Sequence, residues 1–166
     1  MISLKKVGTE AIPIIRDLAS AIWPVTYKGI ISDEQIDYML DWMYSVDSLQ
    51  QQILKKDHQF IMAYEDDTPV GYLSYSINDK ANQTIYRLHK LYVSNDHQRK
   101  GIAGKLLEYM ITEIKPLGAT EIILNVNRHN SAVQFYKAKG FSVKEEQMLD
   151  IGGGFFMDDY ILGLMC

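Results

Sequence analysis

Apolar residues recur along the chain in two rhythms, every three to four positions or every second one, and their succession predicts the elements. Ile12, Ile15, Leu18, Ala19 and Ile22 fall at helical spacing, and Pro24 predicts that this first helix ends near Trp23. In "SDEQIDYMLDWMYS", Ile36, Met39, Leu40 and Met43 form the stripe of a second helix. Ser32 is its expected cap, and Asp33 and Glu34 suit its positive end. "FIMAY" and "VGYLSYS", separated by a polar turn with Asp66, Asp67 and Pro69, read as a hairpin. A third strand runs from about Thr84 to Val93. Ile102, Leu106, Met110 and Ile114 then share one face of a helix that Pro116 and Gly118 close.

"EIILNV" is short and nearly continuously apolar, the pattern of a strand covered on both faces. A further helix is predicted from Ser131 to about Lys139, with Asn130 as cap and Gly140 as stop. "FSVKEEQMLDI" and "FFMDDYILGLM", joined by "GGG", make a terminal hairpin. The order is helix, helix, three strands, helix, strand, helix, two strands, which predicts an α/β (α+β) sandwich with a mixed sheet. With no repeat, low-complexity tract or linker, residues 1–166 read as a single domain.

At 47% hydrophobic and 23% charged, the composition is that of an ordinary globular chain. A net charge of −4 argues against a general nucleic-acid binder, so any anion site must be local. The lone cysteine, Cys166, excludes an internal disulfide and fits a cytoplasmic protein. Glu10, Pro13, Arg16 and Asp17 interrupt the run a signal peptide would need, and no segment is long and apolar enough for a membrane span. His58, His97 and His129 are scattered without ligand spacing, so no metal is expected.

The most informative stretch is "LHKLYVSNDHQRKGIAGKLLEYM", where a strand hands over to a helix through Gln98, Arg99, Lys100, Gly101 and Gly104. Helix starts have unpartnered N–H groups and a positive dipole end, so an anion fits there. Gly101 and Gly104 clear space for close approach, and Arg99, Lys100 and Lys105 add charge. A Walker loop is excluded because Arg99 stands where its first glycine would be and Leu106 follows Lys105; Ala103 breaks a dinucleotide fingerprint.

What remains is Q-x-x-G-x-A from Gln98 to Ala103, which resembles the pyrophosphate motif of the GNAT superfamily of acetyl-CoA-dependent N-acetyltransferases. "NVNRHNSAVQFYKAKGF" resembles that family's second cofactor segment, in which an asparagine precedes a helix ending in F-Y-x-x-x-G-F. The resemblance implies a mostly antiparallel mixed sheet, splayed at the cofactor site and flanked by helices. It implies that Leu91, Tyr92 and Val93 offer main-chain contacts, and that Gln98, Arg99, Lys100, Gly101, Ile102, Ala103, Gly104 and Lys105 hold acetyl-CoA together with Asn125 and Asn130. Tyr136 is then the acid for the departing thiolate, with an ordinary packing tyrosine as the alternative.

Relatives often carry a glutamate early in the third strand, where this chain has Arg87. "LHKLYV" is similar to the strand of arylalkylamine N-acetyltransferases, which implies His89 as base; a structural strand histidine is the competing account. The fold implies an acceptor groove beside "WPVTYKGII" and "DIGGGFFMDDY". There Trp23 and Tyr27 form either an aromatic wall or a buried staple. Of Asp158 and Asp159 only one can face the groove, and Asp158 is taken as the acceptor-binding one.

The expected activity is transfer of acetyl to a primary amine by direct attack, with a polyamine or other small amine favoured by likeness to bacterial polyamine-type enzymes. A protein N-terminus, a lysine side chain or a non-catalytic CoA sensor are the other readings. A homodimer through the terminal strands is compatible with the fold.

Overall fold

The computed structural model describes residues 1–166. Its elements are β1 (Ile2–Val7), α1 (Ile12–Thr26), α2 (Asp33–Tyr44), α3 (Val46–Leu54), β2 (Gln59–Glu65), β3 (Thr68–Asp79) and β4 (Asn82–Val93). They continue with α4 (Ile102–Ile114), β5 (Glu121–Asn127), α5 (Ala132–Ala138), β6 (Ser142–Gly152) and β7 (Phe155–Met165). The strands form one sheet in the order β1-β2-β3-β4-β5-β7-β6. Every neighbouring pair is antiparallel except β4 and β5.

Two layers of helix sandwich this sheet. Leu106, Met110 and Ile114 of α4 and Val133 of α5 pack on one face, against Leu73, Leu88, Ile122 and Leu124. Ile15, Ala19 and Ile22 of α1, with Ile36 and Met39 of α2, cover the other face over Phe60, Met62 and Tyr72.

The structure adds two elements to the expected order and extends one. β1 pairs with β2 as an edge strand, and its adjacent Lys5 and Lys6 break the alternation that would have announced it. α3 is short and rich in glutamine, but Ser45 caps it by accepting the Ser48 N–H at 3.1 Å, and Leu49 anchors it in the core. α1 passes through Pro24 to Thr26. A proline so near a helix end removes one hydrogen bond, while Trp23 beside it is 1% exposed and holds the turn in the core. β5 is not covered on both faces: Ile122, Leu124 and Val126 are buried, while Ile123, Asn125 and Asn127 are only half-buried.

The β4–β5 pairing is brief. Ile85 to Leu88 pair with Glu121 to Leu124, and the register ends there. At that point β4 bulges, because Leu88 pairs with Tyr75 and Lys90 with Ser74, which leaves His89 as the extra residue. Leu91, Tyr92 and Val93 stay paired to β3 on one side while their other edge faces the gap.

Gly71 lets β3 approach that segment, since a Cβ there would stand 2.8 Å from the Tyr92 carbonyl oxygen. Gly71→Ala is therefore expected to destabilise the fold by about 1–3 kcal/mol, as overpacking does, and to weaken CoA binding by shifting Tyr92 and Val93. Denaturant unfolding and calorimetric titration with CoA measure the two effects.

Candidate active site

A cleft of about 640 Å³ lies between the free edge of β4 and the start of α4. Its walls include Leu91, Tyr92 and Val93 from the strand, and Gln98, Arg99, Gly101, Ile102, Ala103 and Gly104 from the turn. Arg99 and Gly101 both adopt left-handed backbone, with φ of 66° and 76°. No side chain caps α4, so its first N–H groups are left for a ligand. Gln98 braces the turn by donating to the Val93 carbonyl and to Asn95, each at 3.3 Å.

Lys100 turns elsewhere: its ammonium pairs with Glu65 at 3.1 Å, and neither it nor Lys105 lines the cleft. Arg99 is the cation on the cleft wall; beside it, though not on the wall, the sequence did not flag Lys139, whose Nζ stands 3.3 Å from where a Gly104 Cβ would be. Its signal was helical position, just after Tyr136 at the end of α5. A left-handed turn, an uncapped thirteen-residue helix and an unpaired strand edge fit the pyrophosphate and amide-bearing arm of CoA.

A second, smaller cavity of about 170 Å³ meets the cleft. Leu91, Tyr92, Asn130, Ala132 and Tyr136 border both. Asn130 caps the start of α5 by accepting the Ala132 N–H at 2.9 Å, one position before the N-cap Ser131. Tyr136 is 6% exposed, edge-on to Phe141, and burial raises its phenol well above the ordinary range. Trp23 and Tyr27 are both staple and wall: buried, with ring centroids 4.7 Å apart and planes tilted by 45°, they nonetheless line the second cavity. Tyr27 shares a 2.9 Å hydrogen bond with the Tyr92 hydroxyl.

Asn125, expected at the cofactor, instead stands in this second cavity. Its Oδ1 accepts from Arg87, and its Nδ2 donates to Gln147 at 3.0 Å and to Asp159 Oδ2 at 3.4 Å. Asp158 does not line the cavity; it is held by Arg128 at 2.8 Å. Asp159 lines it and is 1% exposed. Sequence parity carried that signal, since Phe155, Met157 and Asp159 fall on one face of β7 and both apolar residues pack on the α1–α2 layer.

This sheet, gapped beside an uncapped helix start, with a tyrosine between two joined cavities, defines a GNAT-type acyltransferase. A model of the acetyltransferase (GNAT) domain matches residues 28–156, and the chain belongs to that family. It is an acetyl-CoA-dependent N-acetyltransferase. A protein named spermidine N(1)-acetyltransferase, from Thermoplasma acidophilum, is 30% identical over 162 residues, covering 95% of this chain and 96% of its own. Among solved structures, the PaiA N-acetyltransferase of T. acidophilum in complex with coenzyme A superposes with a TM-score of 0.84 at 27% identity, over 100% of this chain and 99% of its own. The ribosomal-protein-S18-alanine N-acetyltransferase of Escherichia coli, at 16% identity and a TM-score of 0.70, covers 99% of this chain and 94% of its own and shares the fold.

His89 lies at the bulge, stacked 3.9 Å from His58, with Nε2 2.7 Å from the Ser76 hydroxyl. Burial, then the neighbouring His58 and Lys90, push its pKa down to about 2; burial and Lys90 push His58 to about 4. His89 lines the second cavity, as the role expected of it requires, while its lowered value makes it a weaker base there. Lys90 itself is 4% exposed, donates to Gln52 at 2.7 Å and is brought down to about 7 by desolvation.

Both histidines titrate lower in the folded chain than in the unfolded one, where the value is near 6.5. The unfolded chain therefore binds protons first as pH falls, and stability is expected to drop from about pH 6.5 toward about pH 4. Urea midpoints across that range measure it. A His58→Gln/His89→Gln double variant is expected to flatten the decline.

Proposed function

We propose that this acetyltransferase acts on the primary amine of a small molecule, a polyamine such as spermidine first among them, by direct attack. The observation that carries the reading is the shared wall of the two cavities, where Tyr136 stands between the CoA cleft and a narrow pocket. A pocket of about 170 Å³ suits a slim aliphatic amine better than a folded protein surface. The likeness to a spermidine acetyltransferase over nearly the whole chain supports the same choice.

Acetyl-CoA supplies a thioester whose carbon the amine attacks. The exposed backbone of Leu91 to Val93 receives the arm that carries it, and a main-chain N–H there polarises the carbonyl. Gln98, Arg99, Gly101, Ile102, Ala103 and Gly104 hold the pyrophosphate. Tyr136 stays protonated because burial disfavours its phenolate, so it can donate to the leaving sulfur. Trp23 and Tyr27 wall the amine's path.

Wild-type protein is expected to release free CoA from acetyl-CoA in the presence of spermidine, and more slowly with a short peptide. Tyr136→Phe is expected to lower kcat by about 10²-fold with acetyl-CoA affinity unchanged. Turnover confined to peptides, or an undiminished kcat in Tyr136→Phe, would contradict the reading.

A further inference from the structure

Asp159 is a carboxylate in a place where carboxylates are costly. It is 1% exposed, and its Oδ1 has no hydrogen-bond partner. Its Oδ2 has one long contact, with Asn125 at 3.4 Å. No cation touches it: Arg87 reaches it only through Asn125, and Arg128 is taken by Asp158 and Glu146. A buried carboxylate is normally paired or multiply hydrogen-bonded. This one lines the second cavity, so its open lone pairs belong to a site that wants a cationic donor.

The surroundings define which donor. Asp159 is the only carboxylate lining the cavity, while Tyr27 and the Tyr92 hydroxyl bonded to it bring aromatic faces to the same space. Arg87, His89 and Lys90 line the same cavity from β4, and the two cations among them repel a second positive charge. One ammonium fits, flanked by aromatic rings and facing one carboxylate.

We propose that Asp159 is the acceptor's anchor and the general base: its carboxylate binds the incoming ammonium and takes one of its protons. This rests on the reading of the protein as a small-amine acetyltransferase. The proton passes from nitrogen to Asp159, which leaves a neutral amine. That nitrogen bonds the thioester carbon, the C–S bond breaks and its electron pair stays on sulfur. Tyr136 gives its proton to sulfur and recovers one from the new amide nitrogen, while Asp159 returns its own to water. Of the two protons the nitrogen loses, one ends on the CoA thiol and the other in water. Burial raises the Asp159 carboxyl above the ordinary range, with Asp158 adding to the shift and Asn125 opposing it, and a higher value makes it a better base. The other groups facing it are Tyr27 from the end of α1, Arg87 of β4 and Gln147 of β6, the last two through Asn125.

The test is steady-state kinetics of Asp159→Asn and Asp159→Ser with spermidine and with propylamine, between about pH 6 and 10, beside acetyl-CoA binding by calorimetry. Both variants are expected to bind acetyl-CoA within about twofold of wild type and to lose about 10²-fold in kcat near neutrality. The deficit is expected to shrink as pH rises and solution supplies neutral amine, which a merely structural role would not produce. Variants within about threefold of wild type, or a deficit constant across pH, would overturn the assignment. A wild-type enzyme inactive on both amines would instead overturn the small-amine reading on which it rests.

Discussion

The parting of β4 from β5 is the constraint on which the rest depends. Parallel neighbours need a crossover, and here α4 provides it, so the start of that helix must lie beside the end of β4. Ladder pairing stops at Leu88 and Leu124, and the His89 bulge turns the strand away. An unpaired edge is ordinarily a liability. Here it faces an uncapped helix start across a cleft, so the polar backbone groups of both elements await one extended, anionic ligand. CoA has that character.

The opposite side of the same gap makes the second, smaller cavity. β5 carries polar Asn125 and Asn127 there instead of core residues, and β7 brings Asp159 alongside through the Asn127–Asp159 pairing. Trp23, Tyr27 and Tyr92 line the pocket and are fixed by mutual ring contacts, by Tyr72 behind Tyr92 and by the Tyr27–Tyr92 hydrogen bond. The molecule thus holds several polar groups under cover, among them Lys90, Asp159 and Asn130, with the stacked histidines half-buried beside them. Such departures from an apolar interior concentrate where function needs them.

Much of this was legible in the chain. The Gln98–Ala103 motif, the amphipathic α4 and the segment ending at Phe141 announced the turn and the helices beside the larger cleft, because helix starts and glycine turns are local features. β1 and α3 escaped because lysines and glutamines mask elements that tertiary packing completes. The smaller cavity was harder to read. His89 reads as a titrating base in sequence, yet its partners His58 and Ser76 are 31 and 13 positions away in the chain, and they set its chemistry. Lys100 likewise looked like a phosphate ligand until Glu65, at the end of the distant strand β2, claimed it. Choosing between Asp158 and Asp159 required knowing which face of β7 meets the gap, and Arg128 resolves it by engaging the outward one.

The central claim, that the β4–β5 gap and the start of α4 form one CoA site, is tested most directly by amide chemical shifts during titration with CoA. The largest changes are expected at Leu91, Tyr92 and Val93 together with Gly101, Ile102, Ala103 and Gly104. Saturable binding that leaves those amides unmoved, or that shifts only one of the two groups, would contradict it.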